Sequence, residues 1–291
     1  MRPGETLAAR SYRRFSGGKG FNQSTALARA GASVSHAGAI GADGAWLRDA
    51  LAADGADVSL LRTVEGPTGH AVIQVDASGQ NCILIEGGAN RALGPEDAER
   101  AAAGFGEGDV LLVQNETSAI PEMMRSAKAR GMRVAFNPAP MGPEVAAYPL
   151  DLVDLFIVNE TEAEALAHIA GADATSASLP LAAAGAPEDA ARLLSALRAA
   201  WPQADVVLTL GARGAVADVG GERVFVPAAE AEVVDTTAAG DTFIGYFLAS
   251  RLAGASLRGA MESATAASAI CVSRPGAAPS IPRLAECEAK A

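Results

Sequence analysis

DVLLVQNETSAIPEMMRSAKARGMRVAFN, residues 109–137, holds one full unit of the pattern that decides the fold. Residues 109–114 (DVLLVQ) are a short apolar run, 121–130 read as a helix opened by Pro121, and 133–137 (RVAFN) are apolar again. Apolar runs of that length on either side of an amphipathic helix mark a βαβ unit, whose parallel strands are buried on both faces. The pattern continues in 155–158 (LFIV), with a helix after it, and in 205–210 (DVVLTL). An α/β fold with a mostly parallel sheet follows. Such sheets bind ligands beyond the carboxyl ends of their strands. Polar residues gather at those ends: Gln114-Asn115-Glu116, Asn137-Pro138, Asn159-Glu160 and Thr209-Leu210-Gly211.

Nearer the N-terminus the texture changes. Residues 70–76 (HAVIQVD) and 81–85 (NCILI) flank Ala77-Ser78-Gly79-Gln80 and predict an antiparallel hairpin. Together with 7–15 it would form a small sheet projecting from the main body. Residues 171–187, rich in Ala, Ser, Gly and Pro, read as a surface loop within a single domain.

Composition narrows the function classes. The chain has 291 residues, enough to bury a sizeable core, and a formal net charge of −11, which argues against a general nucleic-acid surface. No apolar run approaches a membrane span, and the first residues lack the apolar centre of a secretory signal. The cysteines Cys82, Cys271 and Cys287 are too few and scattered for a disulfide framework or zinc site, and His36, His70 and His168 lack metal-ligand spacing. A soluble cytoplasmic protein is expected.

Four local motifs carry chemistry. Small residues in Asp235-Thr236-Thr237-Ala238-Ala239-Gly240-Asp241-Thr242 lead into an apolar helical run over 243–252. Free backbone N–H groups at such a helix start suit a phosphate or a developing anion, and Asp241 is placed to take a proton from an attacking hydroxyl. Read alone, Asp241 fits a helix-dipole partner equally well. Ser16-Gly17-Gly18-Lys19-Gly20-Phe21-Asn22 precedes a helical stretch over 23–30; it lacks the Ser or Thr of a Walker P-loop, but Lys19 and Asn22 can bind hydroxyls or charge. Asn159-Glu160-Thr161-Glu162 reads as a capping box that leaves room for Mg²⁺. Thr209-Leu210-Gly211-Ala212-Arg213-Gly214 is either a plain hairpin connection or a nucleotide phosphate loop.

Taken in order, SGGKGFNQSTALARAGA, VQNE, NPAP, VNETEAE, TLGARG, DTTAAGDTF and SRPGAAPSIP resemble the PfkB-type, ribokinase-like family of carbohydrate kinases. The likeness runs from Pro3 to about Leu284. It implies a three-layer α/β/α fold with a β-sheet lid, here strands at about 6–15 and 68–86, and a homodimer formed by lid-on-lid packing. The implied reaction is ATP-dependent phosphorylation of a pentose, D-ribose at its 5-hydroxyl; another sugar or nucleoside kinase of the family, or a catalytically impaired binding form, are the alternatives. By resemblance Gly18, Lys19, Gly20, Asn22, Glu116 and Asp241 hold the sugar. Asp241 is the base, and Ala238, Ala239 and Gly240 form the anion hole. ATP falls to Asn159, Thr209, Leu210, Gly211, Ala212, Arg213, Gly214, Gly240 and Thr265, and Mg²⁺ to Asn159 and Glu162. A monovalent cation, usually K⁺, maps to Asp235, Thr237, Cys271, Arg274, Gly276 and Ser280, partly through carbonyls.

Two departures from the family pattern stand out. Members carry an N-terminal strand with a sugar-binding aspartate ahead of the Pro-Gly-Glu-Thr segment, which here begins at Pro3, so that strand is expected to be missing and sugar binding weakened. Tyr246 stands where the family prefers a small residue, one turn into the catalytic helix, and is expected to reshape packing or narrow the site.

Overall fold

The computed structural model describes residues 6, 8–9, 11–75, 81–171 and 185–289. The unit at 109–137 is present as read: β5 (Val110–Val113), α4 (Ile120–Ala129) and β6 (Arg133–Phe136), with β5 and β6 parallel. Ahead of it lie α1 (Lys19–Arg29), β1 (Gly38–Ile40), α2 (Ala45–Ala53), β2 (Leu61–Thr63), β3 (His70–Val75), β4 (Asn81–Glu86) and α3 (Pro95–Ala102). After it come β7 (Leu155–Asn159), α5 (Glu160–Ile169), α6 (Glu188–Ala200) and β8 (Asp205–Thr209). The chain closes with β9 (Ala215–Val219), β10 (Glu222–Val226), α7 (Ala239–Leu252), α8 (Leu257–Val272) and α9 (Leu284–Glu288).

The main sheet has six strands in the order β10-β9-β8-β7-β6-β5. From β5 to β8 the strands are parallel, and β9 and β10 add an antiparallel margin. Side chains alternate across it. Val134, Phe136, Phe156, Val158, Val206 and Leu208 enter one apolar core, which takes in Met124, Leu166 and Leu197 of α4, α5 and α6. Ala135, Leu155, Ile157 and Val207 enter a second core with Phe247 of α7 and Met261 of α8. A sheet whose both faces are apolar must be covered on both, which gives the three-layer α/β/α arrangement.

β1 and β2 pair parallel in a small separate sheet, and β3 and β4 form the expected antiparallel hairpin, with Val72 opposite Leu84 and Ala71 opposite Ile85. One expectation fails here. The described residues of 6–15 hold no strand, so they add nothing to the β3–β4 sheet. A lone extended segment without a hydrogen-bonded neighbour is not stable as a strand; Tyr12 and Phe15 lie exposed, and Arg14 stacks on the Trp46 ring at 5.1 Å. The turn at 77–80, most of the loop at 171–187 and residues 1–5 lie outside the described residues. Among the described residues no helix is long and apolar enough to cross a membrane.

Candidate active site

Asp241 is the centre of the arrangement. It lies in the first turn of α7 and is only 7% exposed. Its Oδ2 accepts a hydrogen bond from Asn22 Nδ2 at 2.9 Å, and its Oδ1 one from Gln23 Nε2 at 2.9 Å. Both donors sit on α1, more than two hundred residues away in sequence, and the reason they reach is steric. Gly245 is one turn beyond Asp241, and Ala26 one turn beyond Asn22. A Cβ on Gly245 would collide with the Ala26 methyl and the Leu27 nitrogen. With no side chain there the two helices close up, and the next turn of each brings amides against carboxylate. Burial raises the Asp241 pKa above the ordinary aspartate value, while the nearby Lys19 charge and the two amides pull it back down.

At the start of α1, Gly18 has φ 95°, a left-handed conformation that glycine adopts at little cost. The Lys19 N–H donates to Glu116 Oε2 at 2.7 Å, so a carboxylate from the end of β5 sits on the helix N-terminus. Glu116 has its pKa raised by burial. Asn22 Oδ1 is buried without a hydrogen-bond donor, on the same amide that faces Asp241. Glu116, Lys19, Asn22 and Asp241 thus converge, as the sequence predicted.

The capping box after β7 is real: Asn159 Oδ1 accepts from the Glu162 N–H at 2.9 Å, and Glu162 Oε2 accepts from the Asn159 N–H at 3.0 Å. Glu162 is nonetheless buried, its pKa raised mainly by desolvation, and the pull of Lys19 and push of Asp241 are both felt there. Capping alone does not require burying a carboxylate that has no ion-pair partner among the described residues. Thr209 pairs with Asn159 across β7 and β8, so the two candidate nucleotide elements sit side by side. The 209–214 segment is a hairpin connection, as one of its two readings had it, with a single 3₁₀ turn over Gly211–Arg213. The Arg213 side chain pairs with Glu160 and Asp189. Thr265 is buried in α8 and returns its hydroxyl to the carbonyls of Met261 and Glu262, both at 3.0 Å.

Of the six residues read as a cation site, five come together. Asp235 accepts from the Thr237 N–H at Oδ1 and from the Gly276 N–H at Oδ2, both at 2.9 Å. Cys271 Sγ lies 3.1 Å from Ser280 Oγ and donates to the Thr237 carbonyl. Burial works to raise the Asp235 pKa, but the hydrogen bonds from Thr237 and Gly276 outweigh it and hold it low. Arg274 is the exception: its guanidinium turns outward to Glu286 at 2.6 Å, leaving only backbone near the loop. Tyr246 does not narrow the site. It is fully buried, and its hydroxyl donates to the Pro282 carbonyl at 2.9 Å, stitching the segment ahead of α9 onto α7. Gln23 was missed from sequence; Gln114 and Asn137, read there as polar residues at strand ends, join the groups above through it.

The order of these parts matches a known plan over nearly the whole chain. The model of the pfkB family carbohydrate kinases matches residues 2–284. This chain belongs to the pfkB carbohydrate kinase family. Among its relatives, the ribokinase of Haemophilus influenzae is 37% identical over 97% of this chain and 89% of its own length. A deoxyribokinase of Salmonella typhi is 30% identical over 97% of this chain and 89% of its own. The crystal structure of Cryptococcus neoformans ribokinase with ADP superposes with a TM-score of 0.86 at 34% identity, covering all of this chain and 93% of that one. Arabidopsis thaliana ribokinase complexed with ribose and ATP gives 0.79 at 28% identity, covering 98% and 90%. For a pfkB kinase, a buried aspartate at a helix start beside a polar pocket has an obvious chemical use.

Proposed function

We propose that this kinase transfers the γ-phosphoryl group of ATP to the 5-hydroxyl of D-ribose. The observation that carries the reading is Asp241: a buried carboxylate in the first turn of α7, fixed by two amides and bordered by Glu116, Lys19 and the orphan acceptor of Asn22. In the step, the Asp241 carboxylate takes the hydroxyl proton as the O5–Pγ bond forms and the bond from Pγ to the bridging oxygen of ADP breaks. The start of α7 at Ala238, Ala239 and Gly240 faces the transferring group with its N–H groups, and, chain neighbours and the helix's own backbone aside, no heavy atom of the described residues stands within 4 Å of where a Cβ on Gly240 would lie. Asn22 Oδ1 accepts a sugar hydroxyl, and Glu116 accepts others. Gly18 and Gly20 line the same sugar pocket.

Nucleotide falls at the ends of β7 and β8, around Asn159 and 209–214, through backbone rather than through the engaged side chain of Arg213. Glu162 is a buried carboxylate with no cationic side chain paired to it among the described residues, which fits the sparse oxygen ligation of Mg²⁺. Glu162 and Asn159 would hold that ion, which supplies charge neutralisation on the phosphate oxygens. The hard oxygens at Asp235, Ser280 and the Thr237 and Gly276 backbone fit a monovalent cation that stiffens the loop ahead of α7. β3 and β4 expose apolar side chains on both faces, Val72 and Leu84 on one and Ile73 and Ile85 on the other, and we assign that hairpin to a lid that pairs with its copy in a homodimer. The free thiols and acidic charge suit the cytoplasm.

The deoxyribokinase relatives support a second acceptor, 2-deoxyribose, because they match the chain over the same span. A coupled ADP-release assay with ribose, 2-deoxyribose, fructose and a nucleoside decides. The reading expects the highest kcat/KM with ribose; no turnover on any of the four removes it.

A further inference from the structure

Gln23 has a side chain with 0% exposure whose every polar position is engaged within the protein. Its Nε2 donates to Asp241 Oδ1 at 2.9 Å and to Asn137 Oδ1 at 3.1 Å, and its Oε1 accepts from Gln114 Nε2 at 2.6 Å. Asn137 carries the connection onward, donating from Nδ2 to the Ile157 carbonyl at 3.0 Å and to Glu162 Oε2 at 3.3 Å. One chain of side chains therefore runs from the end of β5, through the second turn of α1, to the first turns of both α7 and α5.

The orientation of the Gln23 amide is forced. Reversed, it would set its carbonyl oxygen against the Asp241 carboxylate and the Asn137 oxygen while facing Gln114 donors with donors. Both of its N–H groups are used, so it has none to offer a substrate. Its effect is on Asp241. Asn22 holds one carboxylate oxygen and Gln23 the other, which fixes the rotation of the group and leaves the remaining lone pairs for the incoming proton.

We propose that Gln23 is the positioning residue of the base: its amide sets the orientation of the Asp241 carboxylate and, through Asn137, ties it to Glu162. The role rests on Asp241 being the proton acceptor, but its structural content can be read without turnover. The charged groups that interact with Asp241 are Lys19 on α1, Glu116 beyond β5 and Glu162 on α5. Lys19 favours the ionised form; the two glutamates and burial oppose it. Without the Gln23 amide the balance moves toward the protonated carboxyl.

The experiment compares full-length wild type, Gln23→Met, Gln23→Glu and Gln114→Met. The Asp241 carboxyl is titrated by ¹³C NMR of aspartate-labelled protein, with the resonance assigned from Asp241→Asn. Gln23→Met keeps the volume and removes both donors; its Asp241 titration moves up by about one to two pH units, the worth of one hydrogen bond to a charged acceptor. Its kcat falls at least tenfold at neutral pH while the KM for ATP stays. Gln23→Glu keeps the shape and sets a second acid against Asp241, so its titration moves at least as far. Gln114→Met breaks a bond of the same network on the far side of the amide and leaves the Asp241 titration in place. A packing role alone lowers the melting temperature of both Gln23 variants with no shift in the titration, and that result overturns the proposal. Titration curves in the two Gln23 variants that superpose on wild type do the same. If the wild type phosphorylates no sugar, the kinase reading fails, and the titration still decides the place of Gln23.

Discussion

α4 and α7 both begin from an alanine in the left-handed region, Ala119 at φ 61° and Ala238 at φ 63°. The backbone device is the same, and its use differs entirely. After Ala119 come Ile120, which is 2% exposed and fills the space beside the helix start, and Pro121, which has no N–H. After Ala238 come Ala239, Gly240 and Asp241: small, donor-bearing residues over open space, then a carboxylate. A helix start offers its dipole and its unpaired N–H groups only where the following side chains leave room for a ligand. Strain at the cap is shared by both helices, so strain alone does not mark a site; the residues one to three positions on do.

The comparison breaks most completely at Asp241. Asp241→Asn lowers kcat by roughly 10²–10⁴, the scale of a lost general base, with sugar and ATP affinity largely kept. Burial has raised the carboxyl pKa, and the base acts only when ionised. The wild-type rate is therefore full above that raised value and falls as pH drops through it, at a pH higher than an exposed aspartate would give. The variant lacks that acidic limb. Steady-state kinetics against pH check both statements, and a variant above a tenth of wild-type turnover removes Asp241 from the role.

Gly240→Ala tests the open space. Beyond its chain neighbours and its own helix, no atom of the described residues meets the added methyl, and the glycine is not at positive φ, so the melting temperature holds or rises. The methyl enters the volume assigned to the phosphoryl group, and kcat drops about tenfold, or roughly 1.4 kcal/mol of barrier. Unchanged kcat would mean that the start of α7 is as inert as that of α4. The loop ahead of α7 responds to cations: replacing Na⁺ by K⁺ at constant ionic strength raises the rate a few-fold, about 1 kcal/mol or less, and Asp235→Ala abolishes the difference. Equal rates in the two salts for wild type would sink the cation reading.

The smallest effect separates the two alanines. Ala119→Gly relieves about 1 kcal/mol of left-handed strain and loses about 0.4–1 kcal/mol to the freer unfolded chain. Stability by denaturant titration stays within about 1 kcal/mol of wild type on that balance, with kcat unchanged. Ala238→Gly moves stability as little, yet lowers kcat, because a loosened cap no longer aims the N–H groups. Equal kcat in both variants would erase the distinction.

What the chain order reveals depends on how local the cause is. The strands at 133–136, 155–159 and 205–209 and the capping box Asn159–Glu162 are set by residues within a turn or two of each other, and patterns show them directly. The convergence of Glu116, Lys19, Asn22 and Asp241 was legible only through the joint order of motifs, since no spacing along the chain dictates it. The Gln23–Asn137–Glu162 connection was not legible, because a buried amide near a helix start looks like any polar residue there until its partners, more than a hundred residues away, are in place. The pairing of Arg213 with Glu160 and Asp189 was not legible either, since those partners stand 53 and 24 positions away along the chain. The described residues of 6–15 misled because extended-looking sequence forms a strand only beside a partner.

The bonds from Asn22 and Gln23 to Asp241 span 219 and 218 positions of the chain. During synthesis, at about 5–20 residues per second, α1 leaves the ribosome many seconds before the helix it serves. The βαβ units between them can fold in sequence, each closing a short loop, while α1 waits with its amides in water. Contacts of such separation carry a large loop-closure entropy and slow folding. The reaction centre is thus joined across most of the chain and cannot exist before both of its helices are made. A nascent chain that stalls before residue 241 already contains all six strands of the main sheet, and has no base at all.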